Sequence, residues 1–261
     1  MKSLNLTIQN NSRRLLTGFI FLGAGIFLSL PLISRGAATP ECRFDAKLEE
    51  LAKLKQTGTS DIELKLRREI LNLVILCSEI EVKNLKGGLQ AFAPAENSLK
   101  DLQNYFSGKL DDSIRRYGEF RSEAASADLA KTRELAKTIK AWRANTYTPT
   151  ESGAVTFVLW LKNQNLFRTA QARFGQIEQS IKTLKLNDDQ DVSANFETAA
   201  EALWQAQRLN EETKQALLNY DFTRASLLTK NSLEALAKTY EAFFNLSEAV
   251  NQFLSLTKKE E

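Results

Sequence analysis

Histidine is absent from all 261 residues. Its absence removes the commonest general base and the commonest transition-metal ligand together. Cysteine occurs twice, at Cys42 and Cys77. Two thiols cannot build a zinc site, and neither has a histidine to activate it as a nucleophile. A carboxylate metal centre in a helical bundle needs Glu-x-x-His pairs, which this chain cannot supply. No glycine-rich loop is present to cradle a phosphate, since Gly87-Gly88 lacks the flanking pattern and reads as a helix end. The acids Asp188, Asp189 and Asp191 lie in no calcium loop and suit a helix N-terminus. Asp111-Asp112 and Glu211-Glu212 read as solvated helix faces. The expectation is therefore no catalytic residue, no cofactor-binding residue and no metal ligand.

Basic charge is also scarce where it would matter. The four charged residues before Thr39 (Lys2, Arg13, Arg14 and Arg35) are all basic. Without them the 35 Lys and Arg fall to 31, against 32 Asp and Glu. A body with interspersed charges and no clustered positive face excludes nucleic acid as a partner.

What is present begins with the leader. Met1 to Arg14 is polar with three basic residues, Leu15 to Ile33 is an uncharged apolar run, and Gly36-Ala37-Ala38 is a small-residue exit. This is the layout of an export signal. The apolar run is close to the ~20 residues that span a bilayer. Two readings follow: cleavage after Ala38, with Pro31 breaking the helix, or retention as an N-terminal membrane anchor through residues 15–33. Both leave the basic end in the cytoplasm and export the body. Arg13-Arg14 followed by Leu15-Leu16 partly matches a twin-arginine signal but lacks its usual downstream residues. Cys42 follows Thr39-Pro40-Glu41, which does not suit lipid attachment.

In an exported chain a single cysteine pair reads as a disulfide. The geometry supports that reading independently. Phe44, Leu48 and Leu51 form one helical stripe, and Ile62, Leu66, Leu73, Cys77 and Ile80 form another. Between them Gly58 suits a helix C-terminus, and Ser60 with Glu63 forms a capping box. Cys42 and Cys77 lie symmetrically about this turn, so an antiparallel hairpin brings them level. Closing such a loop stabilises the fold by about 4 kcal/mol in the chain-entropy model. The competing reading of Cys77 is a buried free thiol.

The rest of the body reads as all-α. A second helix runs to Lys86, and a third covers about Ala95–Ser122 with a kink or break plausible at Gly108. A fourth, carrying Trp142, runs from a cap at Asp128 to about Asn145. Thr146 to Gly153, containing Pro149, reads as the clearest interruption. Beyond it Phe167, Phe174, Ile177 and Ile181, then Val192, Phe196 and Leu203, then Leu233, Leu236, Tyr240, Phe243 and Leu254 keep three-four spacing. That spacing belongs to antiparallel helices packed as in coiled coils. The expected layout is a signal peptide or transmembrane anchor over 1–38 and a helical subdomain with the disulfide-stapled hairpin over 39–146. A linker over 147–153 and a three-helix antiparallel bundle over 154–257 complete it.

One segment carries more apolar surface than a hairpin buries. The run from Ala154 to Leu161, with Phe157, Val158, Trp160 and Leu161, covers more than one helix face. It either packs between the subdomains or forms an exposed interaction patch. Trp204, Phe243 and Phe244 read as bundle core, and Asn210 and Thr213 as polar register-setters in an apolar stripe. Two functions fit: a non-catalytic interaction or scaffold protein of the cell envelope or exterior, with a protein partner, or a small-molecule-binding bundle lined by aromatics such as Trp160 and Trp204.

Overall fold

The computed structural model describes Cys42, residues 45–57 and residues 60–257. The leader expected over 1–38, with its apolar run at 15–33, and the turn at Gly58 lie outside the described residues. Every element among them is helical: α1 (Asp45–Thr57), α2 (Ser60–Gln90), α3 (Asn97–Ser126), α4 (Leu129–Trp142), a π-helical turn (Arg143–Tyr147), α5 (Thr148–Leu184), α6 (Gln190–Leu218) and α7 (Phe222–Thr257).

Three expected interruptions do not occur. Helix α2 runs through Gly87 and Gly88 because Leu89, just beyond them, is fully buried. That burial offsets the ~1 kcal/mol each glycine costs. Helix α3 is unbroken at Gly108, which sits on the exposed side of the stripe Leu102, Phe106, Leu110 and Tyr117.

The third correction concerns Thr146–Gly153. Instead of a linker, α4 passes into five residues of π-helix and then into α5. Pro149 cannot donate to the ladder, and its ring crowds the preceding turn of an α-helix. The widened turn just upstream, where the Thr148 N–H bonds to the Arg143 carbonyl, makes room for it. The Thr150 hydroxyl donates to the Thr146 carbonyl at 3.0 Å, giving that exposed oxygen a partner.

Contacts divide the described chain into two compact units. The first takes the residues up to Lys162 together with Glu212–Thr229, and the second takes Asn163–Glu211 and the residues from Lys230 on. The division passes within α5, α6 and α7 rather than at 147–153.

In the first unit α2 packs on α3 and α4, and α1 packs on α2. Its core holds Leu66, Ile70, Ile75 and Val82 of α2, Phe106, Tyr117 and Phe120 of α3, and Ile139 of α4. Lateral pairs add to it. The Arg68 guanidinium donates to the Ala127 carbonyl, and Arg121 meets Glu79 at 2.7 Å. Asp128 caps α4 by accepting from the Lys131 N–H.

In the second unit Ile177, Ile181, Leu186, Val192, Phe243 and Leu246 form one cluster, with Phe174 stacked on Phe196 at 4.7 Å. The α5–α6 corner is a Schellman turn. Lys185 takes φ 53°, and Leu186 donates back to the Ile181 carbonyl while burying its side chain. Asp189 then accepts from the Val192 N–H and starts α6.

Candidate functional site

The two cysteines are bonded as the sequence predicts. Cys42 and Cys77 form a disulfide with Cα atoms 5.7 Å apart, level across the α1–α2 hairpin. Helix α1 adds the ion pair of Lys47 with Glu69 at 2.6 Å.

Of its two readings, the segment from Ala154 to Leu161 takes the packed one. Phe157, Val158 and Trp160 are buried and Leu161 half-buried, so the segment is core rather than open surface. The cause lies within the first unit. Phe157 meets Phe106 at 5.9 Å, and Phe106 meets Phe222 at 5.1 Å. Gly153 lets the chain approach these rings, since a Cβ there would fall 2.9 Å from both Phe106 and Phe222. Trp204 and Phe244, expected in the core, are 64% and 59% exposed, while Phe243 is buried. Trp204 stands among Glu201, Gln205 and Arg208 on the outer side of α6, with the Arg208 guanidinium 5.7 Å from its ring.

Of the two polar positions in the C-terminal stripe, Asn210 has a partner across the helices, as a register-setter would. Gln164 and Asn210 exchange two hydrogen bonds, at 3.0 and 3.2 Å, between α5 and α6. Asp189 serves as a helix cap, and no cluster of potential metal ligands occurs among the described residues.

One constellation was not legible in the sequence. The first residue of the π turn, Arg143, reaches two other helices. Its Nη1 donates to the Ser78 hydroxyl at 2.7 Å and to the Tyr117 hydroxyl at 2.6 Å, and its Nη2 donates to Glu81 at 3.1 Å. The Ser78 hydroxyl in turn donates to the Val74 carbonyl. Trp142 stands edge-on to Tyr117 at 5.0 Å and stacks on Tyr147 at 6.2 Å.

At the other end of the turn Tyr147 is fully buried, and its hydroxyl has no hydrogen-bond partner. Burial pushes its phenol well above the ordinary 10.0, and the charges of Glu81 and Glu151 push the same way. Burial also raises Tyr117, against the pull of Arg143. Burial disfavours the Arg143 charge, but Tyr117 and Glu81 outweigh it and hold the guanidinium ionised. The result is a cation clamped at the head of a π turn and a neutral phenol at its end. The sequence signal was slight: arginine next to tryptophan, just before Thr-Tyr-Thr-Pro.

No family of known proteins, no curated protein and no solved structure matches this chain.

Proposed function

We propose that the chain is an exported, non-catalytic helical protein of the cell envelope or exterior, acting through association with a protein partner. The observation that carries this reading is the pair of solvent-facing aromatics in the second unit, Trp204 and Phe244. Large aromatics are enriched at protein interfaces and cost free energy when left in water. The disulfide fits an oxidising compartment, in agreement with the export layout of the leader. No described helix is long and apolar enough to cross a membrane, so an anchored form would depend on residues 15–33. Cross-linking in intact cells, comparing the natural chain with Trp204→Ala and Phe244→Ala, tests the reading. Adducts present in the natural chain should disappear in the variants. Identical adducts in all three would remove the aromatic surface from consideration.

A second reading, binding of a small molecule, is favoured by the buried unpartnered hydroxyl of Tyr147 beside Arg143 and Glu81. A buried polar atom without a partner is where a ligand could gain a strong hydrogen bond. Ligand-induced thermal stabilisation that vanishes in Tyr147→Phe would select it. Failure of every tested small molecule to stabilise the natural chain would leave the association reading.

A further inference from the structure

We propose that the Cys42–Cys77 disulfide is a redox latch: its reduction releases α1 while the rest of the first unit keeps its fold. This inference stands apart from the function proposed above and rests on the asymmetry between the two helices that the disulfide joins.

Among its described side chains, helix α1 is weakly held apart from the covalent bond. From Asp45 to Leu54 none of its side chains is fully buried: Leu48 is 43% exposed, and Leu51 and Leu54 are half-buried. Its ion pair, Lys47 with Glu69, is half-exposed at both ends, with 37% and 41% of the side chains open to solvent. Pairs of that kind contribute little. Helix α2 also leaves Ile62 and Leu76 exposed. At 13 residues α1 is also about as short as a helix can be and still form in water by itself.

Helix α2 is held from its other side. Leu66, Ile70, Leu71, Ile75 and Val82 are buried. Arg68 donates to the Ala127 carbonyl, Glu63 meets Arg133, and Ser78 and Glu81 both bind Arg143. None of these polar partners belongs to α1. Without the disulfide, therefore, one partner has little to keep it folded and the other has most of its packing intact. Local opening of this kind follows low buried contact.

Both cysteines are only half-buried, which leaves the bond open to attack by a thiolate. The reductant is a dithiol, such as the active-site pair of a thiol oxidoreductase. One of its thiolates bonds to one sulfur of the pair and the Cys42–Cys77 bond breaks. The other cysteine leaves as a thiolate and takes a proton. The second donor thiol then displaces the first cysteine. Two electrons pass to the chain, which gains two thiols, and the donor becomes a disulfide. Reoxidation restores the latch.

Hydrogen exchange read by mass spectrometry on the purified chain, before and after dithiothreitol under native conditions, tests the proposal. Alkylation is used to count free thiols. The expected result is two alkylated cysteines, exchange across 45–57 faster by about tenfold or more, and unchanged protection in α3 and in α2 from Leu66 on. The double variant Cys42→Ser/Cys77→Ser should reproduce the reduced pattern without reductant. The proposal is overturned if the thiols stay unlabelled in the folded chain. It is equally overturned if α1 stays protected after both are labelled, or if protection collapses across α2 and α3 together with α1.

Discussion

The Arg143 guanidinium donates to the buried Tyr117 hydroxyl at 2.6 Å, which ties the head of the π turn to α3. The same nitrogen holds Ser78 on α2, so a single side chain fixes three helical segments relative to one another. Replacing it strands several groups at once. Arg143→Ala should destabilise the protein by roughly 2–4 kcal/mol, because the hydroxyls of Tyr117 and Ser78 lose a donor and Glu81 loses its counter-charge. Arg143→Lys should recover less than half of this, since one ammonium cannot reproduce the guanidinium fork. Urea unfolding followed by circular dichroism measures both. A change below about 0.5 kcal/mol for the alanine variant would show that the network is only decorative.

Glycines at two kinds of position should respond oppositely to alanine. At Gly153 the new Cβ would sit 2.9 Å from the rings of Phe106 and Phe222. Gly153→Ala should cost about 1–3 kcal/mol by overpacking. Gly108 lies on the exposed side of α3 with nothing near a Cβ, so Gly108→Ala should stabilise by up to about 1 kcal/mol. Melting temperatures of the two variants should move in opposite directions. A shared direction would mean that the close approach at Gly153 is relieved by backbone movement.

The pairing of Cys42 with Cys77 and the all-helical body were legible because both rest on local signals. These were cysteines placed symmetrically about a turn and apolar residues spaced by three and four. The helix ends were less legible, because burial overruled composition. Leu89 carries α2 through Gly87-Gly88, and the π turn carries the rod through Pro149. Sequence left the segment from Ala154 to Leu161 open between packing and an exposed patch for a related reason. An apolar arc wider than one hairpin needs can be closed by a second face, here Phe106 and Phe222, which lie far away in sequence. Arg143 escaped notice because its partners Ser78, Glu81 and Tyr117 come from two other helices at separations of 65, 62 and 26 residues. No periodicity within one helix reports such a meeting.

Tyr147 should make stability fall at high pH. Its folded-state pKa is raised above the ordinary 10.0, mainly by burial. The stabilisation is complete below pH 10 and is lost as pH rises further, where the unfolded chain ionises and the folded phenol does not. Tyr147→Phe should flatten that alkaline limb. At neutral pH it should be neutral or stabilising by about 1 kcal/mol, because the buried hydroxyl has no partner to lose. Denaturant midpoints measured between pH 7 and pH 11 test both statements. A loss of more than about 1 kcal/mol in the phenylalanine variant at pH 7 would mean that the hydroxyl is hydrogen-bonded in solution, through ordered water for instance.

Two tryptophans provide the sharpest contrast between core and surface. Trp160 is 5% exposed and stacks against Phe157 at 6.4 Å, whereas Trp204 is 64% exposed. Trp160→Ala should cost roughly 3–5 kcal/mol, as large-to-small core changes do. Trp204→Ala should cost less than about 1 kcal/mol, since only a solvent-facing contact with Arg208 is lost. The quenching of tryptophan fluorescence by acrylamide gives an independent reading. Removing Trp204 should strip away most of the easily quenched emission, and removing Trp160 should not. If both variants lose stability equally, Trp204 is covered in solution by something other than water, and a second copy of the chain is the first candidate to examine by sedimentation.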